Sequence, residues 1–192
     1  MALTYGVAAL ARPTFDVPFA AAEAGRAFAA LDAAGIATVG PRELLFDADA
    51  ADAALQEIAA HGDIDLLLIL QVTFTDATMT VKMAERSPAP VALWGLPEPR
   101  LGGRLRLNAL CGINLAAHAL GLAGKPYAWL FAPPDRAGLA DDLRALPDRV
   151  AKAPAMTRPA AGDAANPEAA RVLKALGESS FGVIGDHPPG FD

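Results

Sequence analysis

Residues 65–76, DLLLILQVTFTD, decide how the chain is read. The run is apolar from Leu66 to Leu70, opens after Asp65, and passes at Gln71 into a hydroxyl-rich turn ending at Asp76. An apolar stretch of this length without alternation is the pattern of a parallel strand covered on both faces, where every side chain meets a helix. Gln71, Thr73, Thr75 and Asp76 then sit just past the strand's carboxyl end. In open α/β sheets ligands bind at that end, in the crevice where strand order reverses.

Working toward the amino terminus, Ala50 to His61 predicts a helix with Leu55, Ile58 and Ala59 inward, and Ile36 to Gly40 a strand. Phe19 to Ala34 repeats Ala20, Ala24, Ala27, Phe28 and Leu31 at three- and four-residue steps, a helical face, with Asp16 as its cap and Gly35 as its stop. Thr4 to Leu10 is a first strand, followed by the turn-rich Arg12 to Pro18.

In the other direction, Thr75 or Asp76 caps a helix reaching about Arg86, and Pro90 to Leu96 is a fourth strand. Leu107 to Gly121 suits an almost wholly apolar helix buried on more than one side. Tyr127 to Ala132 is a fifth strand, and Asp135 starts a helix ending near Pro147. Strands alternating with helices predict an α/β, doubly wound, parallel five-stranded flavodoxin-like sheet of order 2-1-3-4-5. The loops facing one another at its switch point are residues 11–16 and 71–76, with 95–100 alongside.

Residues 1–153 form that domain in this reading, and the proline- and alanine-rich segment 154–166 is a linker. Residues 167–192 hold a helix from Pro167 to Leu176 and a strand, FGVIG, from Phe181 to Gly185: the beginning of a second, truncated α/β unit. The alternative is a sixth strand on the first sheet. Phe181, Val183, Ile184 and Phe191 would lack a cover in the truncated reading, which predicts association with another subunit or with the missing remainder.

The 192 residues are 53 % hydrophobic and carry a net charge of −6. Basic residues are scattered except for Arg100, Arg104 and Arg106, which form at most a local anion site. An acidic chain without a basic face disfavours nucleic acid as a partner. No apolar run approaches the roughly 18 residues of a membrane span, and no basic-then-apolar leader follows Met1. A soluble, cytoplasmic protein is the expectation.

One cysteine, Cys111, rules out an intrachain disulfide, and reads either as a small buried hydrophobe or as a nucleophile. His61, His118 and His187 lie far apart. His118 shares a helical face with Asn114 and Cys111, or is a core or interface histidine. The chain has neither a G-x-G-x-x-G after the first strand nor a G-x-x-x-x-G-K-[ST], and no G-x-S-x-G elbow or H-E-x-x-H helix. No cofactor is expected on this chain itself.

Three polar clusters stand at strand ends. Gln71, Thr73, Thr75 and Asp76 offer an amide, hydroxyls and a carboxylate for hydrogen-bonding a polyol; the alternative is a capped helix start. Trp94 and Glu98 offer an aromatic and a carboxylate, Trp94 being equally readable as core. Arg104 and Asn108 place a cation and an amide at the next helix start.

The words QVTFTDATM at 71–79, PVALWGLPEPRLGGRLRLNALCGINLAAHAL at 90–120 and FGVIGDHPPGFD at 181–192, in this order, resemble the amino-terminal part of L-fucose isomerase-like proteins, a superfamily that includes L-arabinose isomerase. The resemblance implies stacked α/β domains and a divalent metal, usually manganese, held by Glu, Asp and His in a later domain. It also implies interconversion of aldoses and ketoses through an enediol. The family's metal ligands have no counterpart here, so this chain is expected to be inactive alone and to lack catalytic residues. Gln71, Thr73, Thr75, Asp76, Trp94, Glu98, Arg104, Asn108 and His187 are its expected substrate-facing residues. A sugar substrate, a homo-oligomer and a carboxyl-terminal domain are its expected partners. The contrasting reading is a non-catalytic flavodoxin-like module that binds a small polar ligand or a protein.

Overall fold

In the computed structural model, the residues described are 3–100, 102–154, 167–180, 182 and 185. Five strands form the main path of one parallel sheet: β1 (Thr4–Leu10), β2 (Ala37–Val39), β4 (Leu66–Gln71), β5 (Val91–Gly95) and β6 (Tyr127–Phe131), in the order β2-β1-β4-β5-β6. This is the expected doubly wound order. The addition is β3 (Leu44–Leu45), which pairs with Ala9 and Leu10 of β1 and was unassigned from sequence because two residues carry no period.

The register aligns Leu10 with Gln71, Gln71 with Gly95 and Gly95 with Phe131, so these four residues mark the carboxyl edge of the sheet. All six residues of β4 are buried. Alternate residues feed two cores. Tyr5, Val7, Leu68, Leu70, Trp94 and Leu130 pack with α1 (Val17–Ala33), α5 (Leu139–Arg144) and α6 (Leu146–Ala151). Ala8, Leu10, Leu67, Ile69 and Leu93 pack with α2 (Ala48–His61), α3 (Thr78–Arg86) and α4 (Ala109–Leu122). The unbroken apolar run of β4 is thus explained by helices on both faces.

Asp16 caps α1 by accepting from the Phe19 N–H at 3.1 Å, and Gly35 follows that helix with φ of 69°, a left-handed turn that suits glycine. Gly95 has a different use. A Cβ there would stand 2.3 Å from Ile113 Cδ1, so the missing side chain lets α4 lie close on the sheet. Tyr5 donates its hydroxyl to the Leu143 carbonyl at 2.7 Å, pinning α5 to β1, and burial holds the phenol protonated far above its ordinary range.

Several expectations are corrected. Helix α3 starts at Thr78, later than either expected cap allows: Thr75 is buried and bonded to Gln71, while Asp76 accepts from the Thr78 N–H at 3.1 Å. Asp135 begins no helix; it pairs with Arg26, and α5 starts after Gly138, whose φ of 75° turns the chain. Pro147 opens α6 instead of ending a helix, because proline fits the first turn. Helix α4 is one-sided: Leu110, Cys111, Asn114, His118 and Leu122 are exposed, so neither the buried-cysteine nor the core-histidine reading holds.

The chain divides into units Met1–Met156 and Thr157–Asp192. Within the second, α7 (Pro167–Gly177) forms where a helix from Pro167 to Leu176 is expected, with Val172, Leu173 and Leu176 exposed. Of the expected linker 154–166 all but residue 154, the expected strand FGVIG apart from its glycines, and the closing DHPPGFD lie outside the described residues. No helix among the described residues is long and apolar enough to cross a membrane.

Candidate functional site

Three loops leave the carboxyl edge beside the reversal between β1 and β4: residues 11–16, 72–77 and 96–108. Backbone hydrogen bonds knit them into one surface. The Phe74 N–H donates to Leu107 O at 2.8 Å, and the Asp16 N–H to Arg106 O at 3.2 Å. The Arg12 N–H donates to Thr73 Oγ1 at 2.8 Å. Loops that share such bonds cannot shift independently, which is the condition for a preorganised binding face.

The buried polar residues build this surface from beneath. Gln71 is fully buried, and its amide donates to Thr73 O at 2.7 Å and to Thr75 Oγ1 at 2.8 Å. Its side chain lies against Gly112, where a Cβ would stand 2.8 Å from Gln71 Cγ. Gln71, Thr73 and Thr75, expected to touch substrate, therefore hold the 72–77 turn in shape. The side chains this turn presents are Phe74 and Asp76, both half-buried.

Arg12 faces them from the first loop. Its Nη2 lies 3.0 Å from Asp76 Oδ2, and its guanidinium carbon 5.7 Å from the centre of the Phe74 ring. Phe15 meets Phe74 edge to face at 6.5 Å. Arg12, Phe15 and Phe74 were missed from sequence because positions some sixty residues apart become neighbours only through the parallel pairing of β1 and β4.

The third loop is anchored by Glu98. Its Oε1 accepts from Leu107 N and Asn108 N at 2.8 and 2.6 Å, and its Oε2 from Arg106 N at 3.0 Å. Burial pushes the Glu98 pKa up, but the amides of Asn108, Arg106 and Leu107 and the Arg106 charge outweigh it, leaving the carboxyl below its ordinary value. Asn108 adopts the left-handed conformation at φ 53° as the residue before α4. Glu98 and Asn108 thus shape the loop.

Arg106 packs over the Phe19 ring at 3.7 Å and pairs with Asp16 at 2.9 Å. Asp16 is held below the usual carboxylate range by the Phe19 N–H and the Arg106 bond, with Arg104 adding to the pull. Arg104 is exposed and lines a half-open cavity of about 700 Å³ with Phe15, Asp16, Glu98, Arg100 and Arg106. Trp94, by contrast, is core: it is fully buried and donates to Ala132 O at 2.9 Å. His187 lies outside the described residues. No group of three or more His, Cys, Asp or Glu among the described residues is placed to hold a metal ion.

The fucose/sulfoquinovose isomerase N-terminal domain model matches residues 6–152, the stretch that builds the sheet and all three loops. The chain belongs to this family. Among its relatives, the sulfoquinovose isomerase of Priestia aryabhattai is 32 % identical over 182 residues, 95 % of this chain and 36 % of the relative. That of Priestia megaterium matches equally, and that of Alkalicoccus urumqiensis is 34 % identical over 151 residues, 79 % of this chain and 29 % of the relative. The chain thus spans about a third of the length of the curated relatives it matches. The family accounts for the words quoted from 71–79 and 90–120, which fall on the second and third loops of the site.

Proposed function

We propose that this chain is the amino-terminal, substrate-facing region of an aldose–ketose isomerase whose substrate is a sulfonated hexose of the sulfoquinovose kind. The observation that carries the reading is the continuous surface of the three interlocked loops at the switch point, in a chain whose relatives are named sulfoquinovose isomerases. Its half-open cavity has a size suited to a sugar.

Aldose–ketose isomerisation moves the C2 proton of the open-chain sugar to C1 while the carbonyl passes from C1 to C2. In this reading the region orients the sugar. Phe15 and Phe74 give an apolar wall for the C–H faces of a carbon chain, and the Arg12–Asp76 pair supplies a donor and an acceptor at its edge. The residues described do not fit a metal site, so the divalent ion implied by the family resemblance belongs elsewhere in this reading, and no step is assigned to it.

The test is direct. The whole natural protein, incubated with sulfoquinovose and followed by NMR, is expected to accumulate the 2-ketose; an unchanged aldose spectrum, with binding of the sugar intact, would support a non-catalytic module instead.

A further inference from the structure

The isomerase reading leaves open what recognises the charged end of the substrate. We infer that the cavity beside Phe15 is the sulfonate subsite, with Arg100 and Arg104 as the residues that bind the anion. The inference rests on the isomerase reading and adds the residues that would make it specific.

Charge pairing within the cavity is the argument. Five charged side chains line it: Asp16, Glu98, Arg100, Arg104 and Arg106. Both carboxylates are already engaged. Glu98 spends its two oxygens on three backbone N–H groups, and Asp16 is bonded to Arg106 and to the Phe19 amide. Arg106 is likewise used, by Asp16 and by the Phe19 ring. Arg100 and Arg104 make no ion pair with any described residue, and Arg104 acts on Asp16 only through space. The cavity therefore has two uncommitted cations, on a chain whose net charge is −6.

The loop places both cations on the wall of the same cavity. Gly102 and Gly103, between the arginines, have φ of 77° and 90°, left-handed backbone that suits glycine. A Cβ on Gly103 would stand 3.3 Å from Arg100 Nη2, so the Arg100 guanidinium lies close against this turn. Planar guanidinium groups match the oxygens of a sulfonate with paired donors. Glu98, by clamping Arg106 to Asn108, fixes the far end of the same loop. An adjoining sugar chain would run along Phe15 toward Phe74 and Arg12, which places the anion at one end of the site and the hydroxyls at the other.

The experiment compares sulfoquinovose, its neutral analogue 6-deoxyglucose, and glucose 6-phosphate as substrates for the whole natural protein, wild type and the Arg100→Gln/Arg104→Gln double variant. The wild-type preference for sulfoquinovose over 6-deoxyglucose, as kcat/KM, is expected to fall about tenfold or more in the double variant, mainly through KM. Arg104→Lys, which keeps the charge without the fork, is expected to recover part of it. An unchanged preference in a folded double variant overturns the subsite while leaving the isomerase reading intact. An arginine-dependent preference for glucose 6-phosphate over sulfoquinovose overturns the sulfonate assignment. A wild-type protein that isomerises none of the three sugars overturns the reading beneath both. Should the double variant unfold, inhibition of the wild type by methanesulfonate, expected to be competitive with sulfoquinovose, decides the same point: no competition overturns the subsite.

Discussion

Arg12 and Asp76 meet at 3.0 Å across the point where strand order reverses, joining the loop after β1 to the loop after β4. The pair is partly shielded, with 30 % and 18 % of the side chains exposed, so it retains more of its attraction than a surface pair would. It also sets the Arg12 guanidinium beside the Phe74 ring.

A double-mutant cycle on Arg12→Ala and Asp76→Ala is therefore expected to give a coupling energy of about 1 kcal/mol in urea unfolding. Additive losses would show that the two side chains are neighbours without being partners.

Gly112 is expected to be intolerant of any side chain. Substitution by Ala puts a methyl group into Gln71, which in turn holds Thr73 and Thr75, so the strain passes to the turn carrying Phe74. A destabilisation of about 1–3 kcal/mol is expected, against the gain that Gly→Ala normally brings in a helix. A more stable Gly112→Ala protein would show that Gln71 is free to move aside.

The Glu98 carboxyl titrates below its ordinary 4.5 in the folded state. A depressed folded pKa adds stability that is present above the unfolded value and is lost as pH falls through the folded one. The 98–108 loop is thus expected to stay closed at neutral and mildly acidic pH and to loosen only below 4.5. NMR titration of the Glu98 side chain, with amide exchange at Arg106 to Asn108, checks this; a midpoint above 4.5 contradicts the three-amide clamp.

The two tryptophans are expected to report differently. Trp94 is fully buried and hydrogen-bonded, whereas Trp129 is 57 % exposed on β6. Trp129→Phe should leave a blue-shifted emission that acrylamide barely quenches. Trp94→Ala should cost about 3–5 kcal/mol of stability through the cavity it leaves. A readily quenched Trp94 would place it at a surface.

The sheet was legible from sequence because parallel strands covered on both faces are unbroken apolar runs, and Thr4 to Leu10 and Leu66 to Gln71 are two of them. Strand order followed from alternation and handedness. The polar residues were harder to read. Gln71, Thr73 and Thr75 look like ligand groups in a list, but burial turns them inward, and burial is a property of packing across elements. Glu98 was legible as a carboxylate at a strand end, but its clamp on the loop was not, since its backbone partners lie eight to ten residues on. Arg12, Phe15 and Phe74 become a cluster only once β1 and β4 are paired in register. The arginine group at 100–106 was visible as charge density; which of its members were uncommitted depended on the positions of Asp16 and Phe19.

Hydrogen exchange of the whole natural protein, with and without saturating sulfoquinovose, tests the central claim most directly. The account predicts that sugar-dependent protection within this region concentrates in residues 12–16, 72–76 and 98–108, the three loops at the carboxyl edge of the sheet. Exchange in all three loops that is unaffected by a sugar the protein demonstrably binds would contradict it.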